Sequence, residues 1–230
     1  MKILSFRRVG ATCAIAGAVV TGVFNGMHPE LADPSGIVQN AAGSSKWIAV
    51  HWGLIIGMVQ MQIGFSVFAQ TLRHPTEGRE TGEWGLLGIY MLMVGLALWI
   101  CVFTAEVGLK PLADTARVDQ FRQGGALALS NFVDATATAA TIVYWLGAAL
   151  LGVASLRSTR YPRWMGVTGS AVGAFMILGV GIPKAFLGAS AWTERVAFPA
   201  LAILFLIWTV ILGTLLWRDS DMHAAPQRNM

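Results

Sequence analysis

Asp134 stands inside an apolar run, in line with Asn131, Thr138, Thr141 and Trp145. At ~100° per residue those five positions fall within an arc of roughly 80° on a helix. The rest of that surface is Ala, Leu, Val, Ile and Gly. A carboxylate inside such a segment is expensive in lipid, so it should face protein or water, where it can carry a proton or hold a cation. Other chemistry-bearing residues border neighbouring apolar runs. His51 lies one turn into the run that opens at Trp47, Glu106 ends the run that opens at Trp84, and Lys184 follows Ile182-Pro183. His28 and Glu30 stand between the first two runs. Imidazole nitrogens and carboxylate oxygens suit zinc or iron, which makes His28, His51, Glu106 and Asp134 the candidate metal ligands. No close HxxxH or HExxH spacing joins them, so only tertiary folding would bring them together. No two histidines share a depth well inside facing runs, which argues against haem, and no cofactor is implied.

Each of these residues also has a structural reading. Asp134 can serve a polar contact between helices, and His51 can bond a backbone carbonyl. Glu106 and Lys110 are spaced i, i+4, as in an ordinary ion pair at a helix end. Lys184 can snorkel to lipid headgroups, and His28 and Glu30 can be plain loop residues. Trp145 shares the polar arc and would wall a pocket.

The elements that must position these groups follow from composition. Of 230 residues, 55% are hydrophobic and only 12% charged, about half the charged share of an ordinary soluble domain. The chain lacks the polar surface to coat itself in water. Apolar stretches at 9–26, 47–71, 84–107, 125–154, 164–183 and 196–217 each approach the ~20 residues that cross a bilayer. The expected fold is an all-α, polytopic membrane helix bundle of six transmembrane helices in one domain. Trp47, Trp84, Trp164 and Trp217 mark segment ends, as an aromatic belt would. The pairs Gly53/Gly57 and Gly169/Gly173 have the small-xxx-small spacing that lets helices approach closely. Turn signals fill 27–46, and 109–123 reads as a polar connection. The basic start before the first apolar run has the layout of a signal peptide, but an embedded remainder favours an uncleaved span. Cys13 and Cys101 lie in apolar runs and imply neither disulfide nor metal motif. No cluster of Lys and Arg is long enough to suggest nucleic acid.

Ten of the 16 basic residues fall in the segments that share a side with the termini, which favours both termini in the cytoplasm of a bacterial inner membrane. Helix direction then collects His28, His51, Glu106, Asp134 and Lys184 in the outer third. The far half offers only Gln, Thr and Tyr side chains.

His28-Pro29 after the first span and Trp47 with His51 opening the second carry a resemblance. So do the Leu156-to-Gly166 join through Arg157, Pro162, Arg163 and Trp164, and the closing Trp208-to-Leu216 run. In these the chain resembles uncharacterised bacterial six-span integral membrane proteins. The resemblance implies the architecture and supplies no activity. The expected function is a polar pocket open to the outer side that binds or transports a small solute, proton or cation, using Asp134, Asn131, His51, Glu106, Thr138, Trp145 and Lys184. Two alternatives stand beside it: an accessory subunit of a membrane complex, and an enzyme. The enzyme would act on a lipidic substrate through a buried carboxylate or a His/carboxylate metal site. The lipid bilayer is the expected partner, with a small ligand or other membrane subunits besides.

Overall fold

The computed structural model describes residues 6–29, 34–73, 79–115, 120–188, 190 and 192–224. Glu30 lies outside them, as do Lys2, Arg117 and Arg228 among the 16 basic residues. The described residues form eight α-helices and no strand: α1 (Phe6–Gly26), α2 (Pro34–Gly43), α3 (Trp47–Thr71), α4 (Arg79–Thr115), α5 (Gln120–Arg157), α6 (Arg163–Met176), α7 (Ile182–Leu187) and α8 (Phe198–Ala224). The π-helical turns Ile177–Gly181 and Thr193–Ala197 join α6 to α7 and lead into α8. Counting each π turn with its neighbours, six helices are long and apolar enough to cross a membrane.

Two segments read as connections are helical. The turn-rich stretch 27–46 contains α2, which packs against α4 and α5. The polar stretch 109–123 is largely the end of α4 and the start of α5, with Pro111 inside α4. Leu109, Ala113 and Ala126 bury themselves against Ile37, Ala41 and Trp47 in a small second core. That burial holds both helices beyond their apolar spans, and it overrides the turn signals.

The long helices close into a ring in which α1 packs on α3, α3 on α4, α4 on α5, α5 on α6, α6 on α8, and α8 back on α1. In α3, Trp47, Leu54, Met58, Met61, Phe65 and Phe68 are buried, whereas Ile48, Trp52, Ile56, Val59 and Ile63 are exposed. Both sets recur at three and four residues, so an apolar face points outward as well as inward. A helix apolar all round suits lipid on one side and protein on the other. Close approach of α1 and α3 needs glycine on both sides. A Cβ on Gly17 would meet the Met61 backbone nitrogen at 2.5 Å, and one on Gly57 would meet that of Thr21 at 2.7 Å.

The ring is filled at one end. Phe65, Phe205 and Trp208 stack there, with Phe68 and Tyr161 beyond. Trp208 Nε1–H donates to the Met165 carbonyl at 2.9 Å, and the Thr71 and Tyr161 hydroxyls share a 2.6 Å hydrogen bond. Arg157 finishes α5 by bonding Glu80 of α4 at 2.7 Å. The other end of the ring is hollow.

Candidate functional site

The hollow end is an open-mouthed cavity of about 460 Å³ lined from α1, α2, α3, α4, α5, α7, α8 and the two π turns. Its deep walls are Met58, Met61, Tyr144, Trp145, Phe205 and Leu206, and Val133, Ala137, Trp99, Phe103 and Phe198 continue them. The ionisable lining residues are His28, Glu106, Asp134, Lys184, Glu194 and Arg195. Asp134 precedes Trp145 on α5 by eleven residues, about 16 Å of helix rise. Glu194 stands as far before Phe205. The charged groups therefore gather at the mouth, and the floor is aromatic and aliphatic.

Two polar clusters occupy that mouth. In the first, His28 from the turn after α1, His51 from α3 and Glu106 from α4 place one donor atom each within 4.8 Å of one another. His28 Nε2 is 3.1 Å from His51 Nε2, and His51 Nε2 is 3.0 Å from Glu106 Oε2. The last contact has ion-pair distance without hydrogen-bond geometry, and Glu106 Oε2 has no hydrogen-bond partner among the described residues. The remaining ring nitrogens are committed. His51 Nδ1 donates to the Trp47 carbonyl at 2.5 Å, and His28 Nδ1 donates to the Pro29 carbonyl at 2.8 Å. A carbonyl only accepts, so both Nδ1 atoms carry protons and both Nε2 atoms turn toward each other and toward Glu106.

Trp47 supports the cluster twice. Its Nε1–H donates to the Glu106 carbonyl at 2.7 Å, and its ring lies 4.5 Å from that of His51. This fully buried indole ties α3 to α4 at the level of the cluster, a role different from the interfacial belt expected of it. Burial pushes the His28 imidazole below its usual pKa, and the Glu106 carboxylate partly opposes that shift. Glu106 does not pair with Lys110. Lys110 turns to Asp114 instead, at 2.6 Å, because Glu106 faces inward and is buried.

In the second cluster, Lys184 Nζ lies 2.8 Å from Asp134 Oδ1 and 3.0 Å from Glu194 Oε1. Lys184 is thus held between two carboxylates rather than reaching out to headgroups. Its side chain is 15% exposed, Glu194's 11% and Asp134's 36%. The π turn Ile177–Gly181 sets the rotation of Lys184 on the next helix, and the turn Thr193–Ala197 sets that of Glu194. π turns of this kind recur at functional sites.

Of the expected site residues, Asp134, Glu106, Trp145 and Lys184 line the cavity, and His51 sits fully buried behind His28 and Glu106. Asn131 and Thr138 do not line it. Asn131 donates to the Leu127 carbonyl at 2.9 Å and is exposed, and Thr138 donates to the Asp134 carbonyl at 2.9 Å. Each polar side chain satisfies its own helix, a local option that spacing alone does not reveal. Asp134 belongs with Lys184, so it is no companion of the His28–His51–Glu106 donor set.

Three participants have no site role in the sequence reading. Glu194 follows Lys184 by ten residues across a helix-to-helix join, which was a usable signal for an antiparallel pair. Trp47 reads from the sequence as a belt residue. Tyr144 carries a buried hydroxyl with no partner among the described residues, at the cavity wall. Comparison with protein-family models, curated proteins and solved structures finds no match for the chain.

Proposed function

We propose that this chain is an integral membrane protein that binds a lipid-like amphiphile inside its helix ring. The observation that carries the reading is the polarity gradient of the cavity, from charged mouth to aromatic floor. Its volume of about 460 Å³ falls in the range of sites that enclose drug-sized molecules, which are mostly apolar with a few placed polar groups. A hydrocarbon body would lie among Met58, Met61, Trp145, Phe205 and Leu206, and a polar head would meet Lys184 and its two carboxylates. The unpartnered Tyr144 hydroxyl supplies one donor along the way. A hydrated ion would gain little from such walls, which turns the expectation of a small solute, proton or cation toward an amphiphile. With both termini cytoplasmic, as the basic residues favour, the mouth would open toward the outer side of a bacterial inner membrane.

The test is native mass spectrometry of the protein released from mild detergent. Wild type should retain an adduct of lipid-like mass that Ala137→Trp, which fills the cavity, loses while keeping its thermal unfolding temperature. If wild type carries no adduct, or the variant retains the same one, the reading fails.

A further inference from the structure

The His28–His51–Glu106 cluster brings three metal-ligating atoms together. With both Nδ1 atoms bonded to carbonyls, the two Nε2 atoms face each other across 3.1 Å, with a carboxylate oxygen 3.0 Å from one of them. Three atoms able to offer an electron pair converge in a buried place. A positive charge among them, either a second ring proton or a bound cation, satisfies all three. We propose that His28, His51 and Glu106 bind one first-row divalent metal ion of the zinc or iron class at the mouth of the cavity.

Three features support an ion at this place. For metal–donor bonds of about 2.0–2.2 Å, neighbouring ligand atoms stand roughly 2.8–3.1 Å apart in octahedral and roughly 3.3–3.6 Å apart in tetrahedral geometry; the separations of 3.1 and 3.0 Å match the octahedral spacing, and all three ligand atoms lie within 4.8 Å of one another. Metal-bound histidines typically give their other ring N–H to a carbonyl or carboxylate, which fixes tautomer and orientation. Both histidines here do so, and Trp47 provides the carbonyl for His51 while bonding the backbone of Glu106. Two imidazoles and one carboxylate, with positions left open, are a donor set used by reactive zinc and non-haem iron centres. His28 and Glu106 line the cavity and His51 lies behind them. The open positions would therefore face the cavity, where water or an oxygen of the occupant completes the coordination. The metal assignment does not depend on what that occupant is.

The experiment is elemental analysis of the full-length protein purified in detergent without chelator, repeated after equilibration with Zn²⁺ and gel filtration. Wild type should hold about one equivalent. His51→Ala, Glu106→Gln and His28→Ala should each lower the affinity at least tenfold, and Trp47→Phe, which keeps the carbonyl that holds His51 and loses only the indole bond to the Glu106 backbone, should lower it less than any of them. His28 lies outside the helices, so its variants carry the test if those within the spans fail to fold. His28→Cys loaded with Co²⁺ should show a sulfur-to-cobalt charge-transfer band that wild type lacks. If wild type takes up no metal under either condition, or if His28→Ala and Glu106→Gln hold as much as wild type, the assignment is overturned. Absence of the charge-transfer band in folded, cobalt-loaded His28→Cys would remove His28 from the coordination sphere and overturn it equally.

Discussion

Leu54 and Phe65 lie about three turns apart on α3, both buried, and they serve opposite ends of the ring. Phe65 is wedged among Phe205 and Trp208, where the indole N–H is satisfied by a backbone carbonyl. Leu54 borders the cavity, near His28 and Glu106. The same six-helix ring is thus a close-packed core at one end and a vessel at the other. The difference does not come from hydrophobicity, since α3 carries large buried apolar side chains at both levels. It comes from what the neighbouring helices bring to each level. At the filled end α8 contributes Trp208 and the join before α6 contributes Tyr161. At the hollow end the facing residues include Ala137, Ala202 and Gly22, and α7 and the π turn Thr193–Ala197 carry charged groups at the rim. The filled end holds the stacked aromatic rings, and the hollow end carries most of the ionisable groups that face inward.

Substitutions can break that contrast, and their effects should rank accordingly. Trp208→Ala removes the centre of the aromatic stack and an indole hydrogen bond, and it should cost about 3–5 kcal/mol. Leu206→Ala, a cavity-lining change two residues away, should cost about 1–2 kcal/mol, because part of that side chain already borders empty space. Unfolding in detergent measures both, and equal costs would abolish the distinction between the ends. Lys184→Met leaves Glu194 and Asp134 facing each other without their shared cation. Glu194 is largely buried and Asp134 a third exposed, so the loss should lie near 2 kcal/mol, between the buried and surface limits. Asp134→Asn should cost less, since Glu194 still meets Lys184. A Lys184→Met variant as stable as wild type would show that the cluster contributes nothing to holding α5, α7 and the turn before α8 together. The smallest effect belongs to Tyr144→Phe. Its hydroxyl has no partner among the described residues, so removing it should change stability by no more than about 0.5 kcal/mol while weakening retention of the cavity's occupant. A large loss of stability would mean that the hydroxyl serves the fold instead.

The sequence disclosed the spans well, because lipid demands long apolar helices and apolar length is a local property of the chain. It also disclosed most groups at the mouth: His28, His51, Glu106, Asp134 and Lys184 were all legible as ionisable residues at the borders of apolar runs. Their partners were not. Glu106 and Lys110 have the spacing of an ion pair, yet Glu106 turns inward to His51 and Lys110 turns to Asp114. Asn131 and Thr138 share an arc with Asp134, yet they bond their own backbone.

What the sequence determined by itself is therefore an all-α chain with six membrane-competent helices, and a short roster of ionisable residues that had to avoid lipid. Hydropathy and helical period set both, and neither needs knowledge of the neighbours. Tertiary structure alone decided which residues face one another. His28 and His51 are 23 positions apart, and Glu106 is more distant still. Their meeting depends on α1, α3 and α4 packing at one level, fixed by glycine contacts between α1 and α3 and by one buried tryptophan. The donor set, and the two clusters into which the charges divide, are properties of that packing.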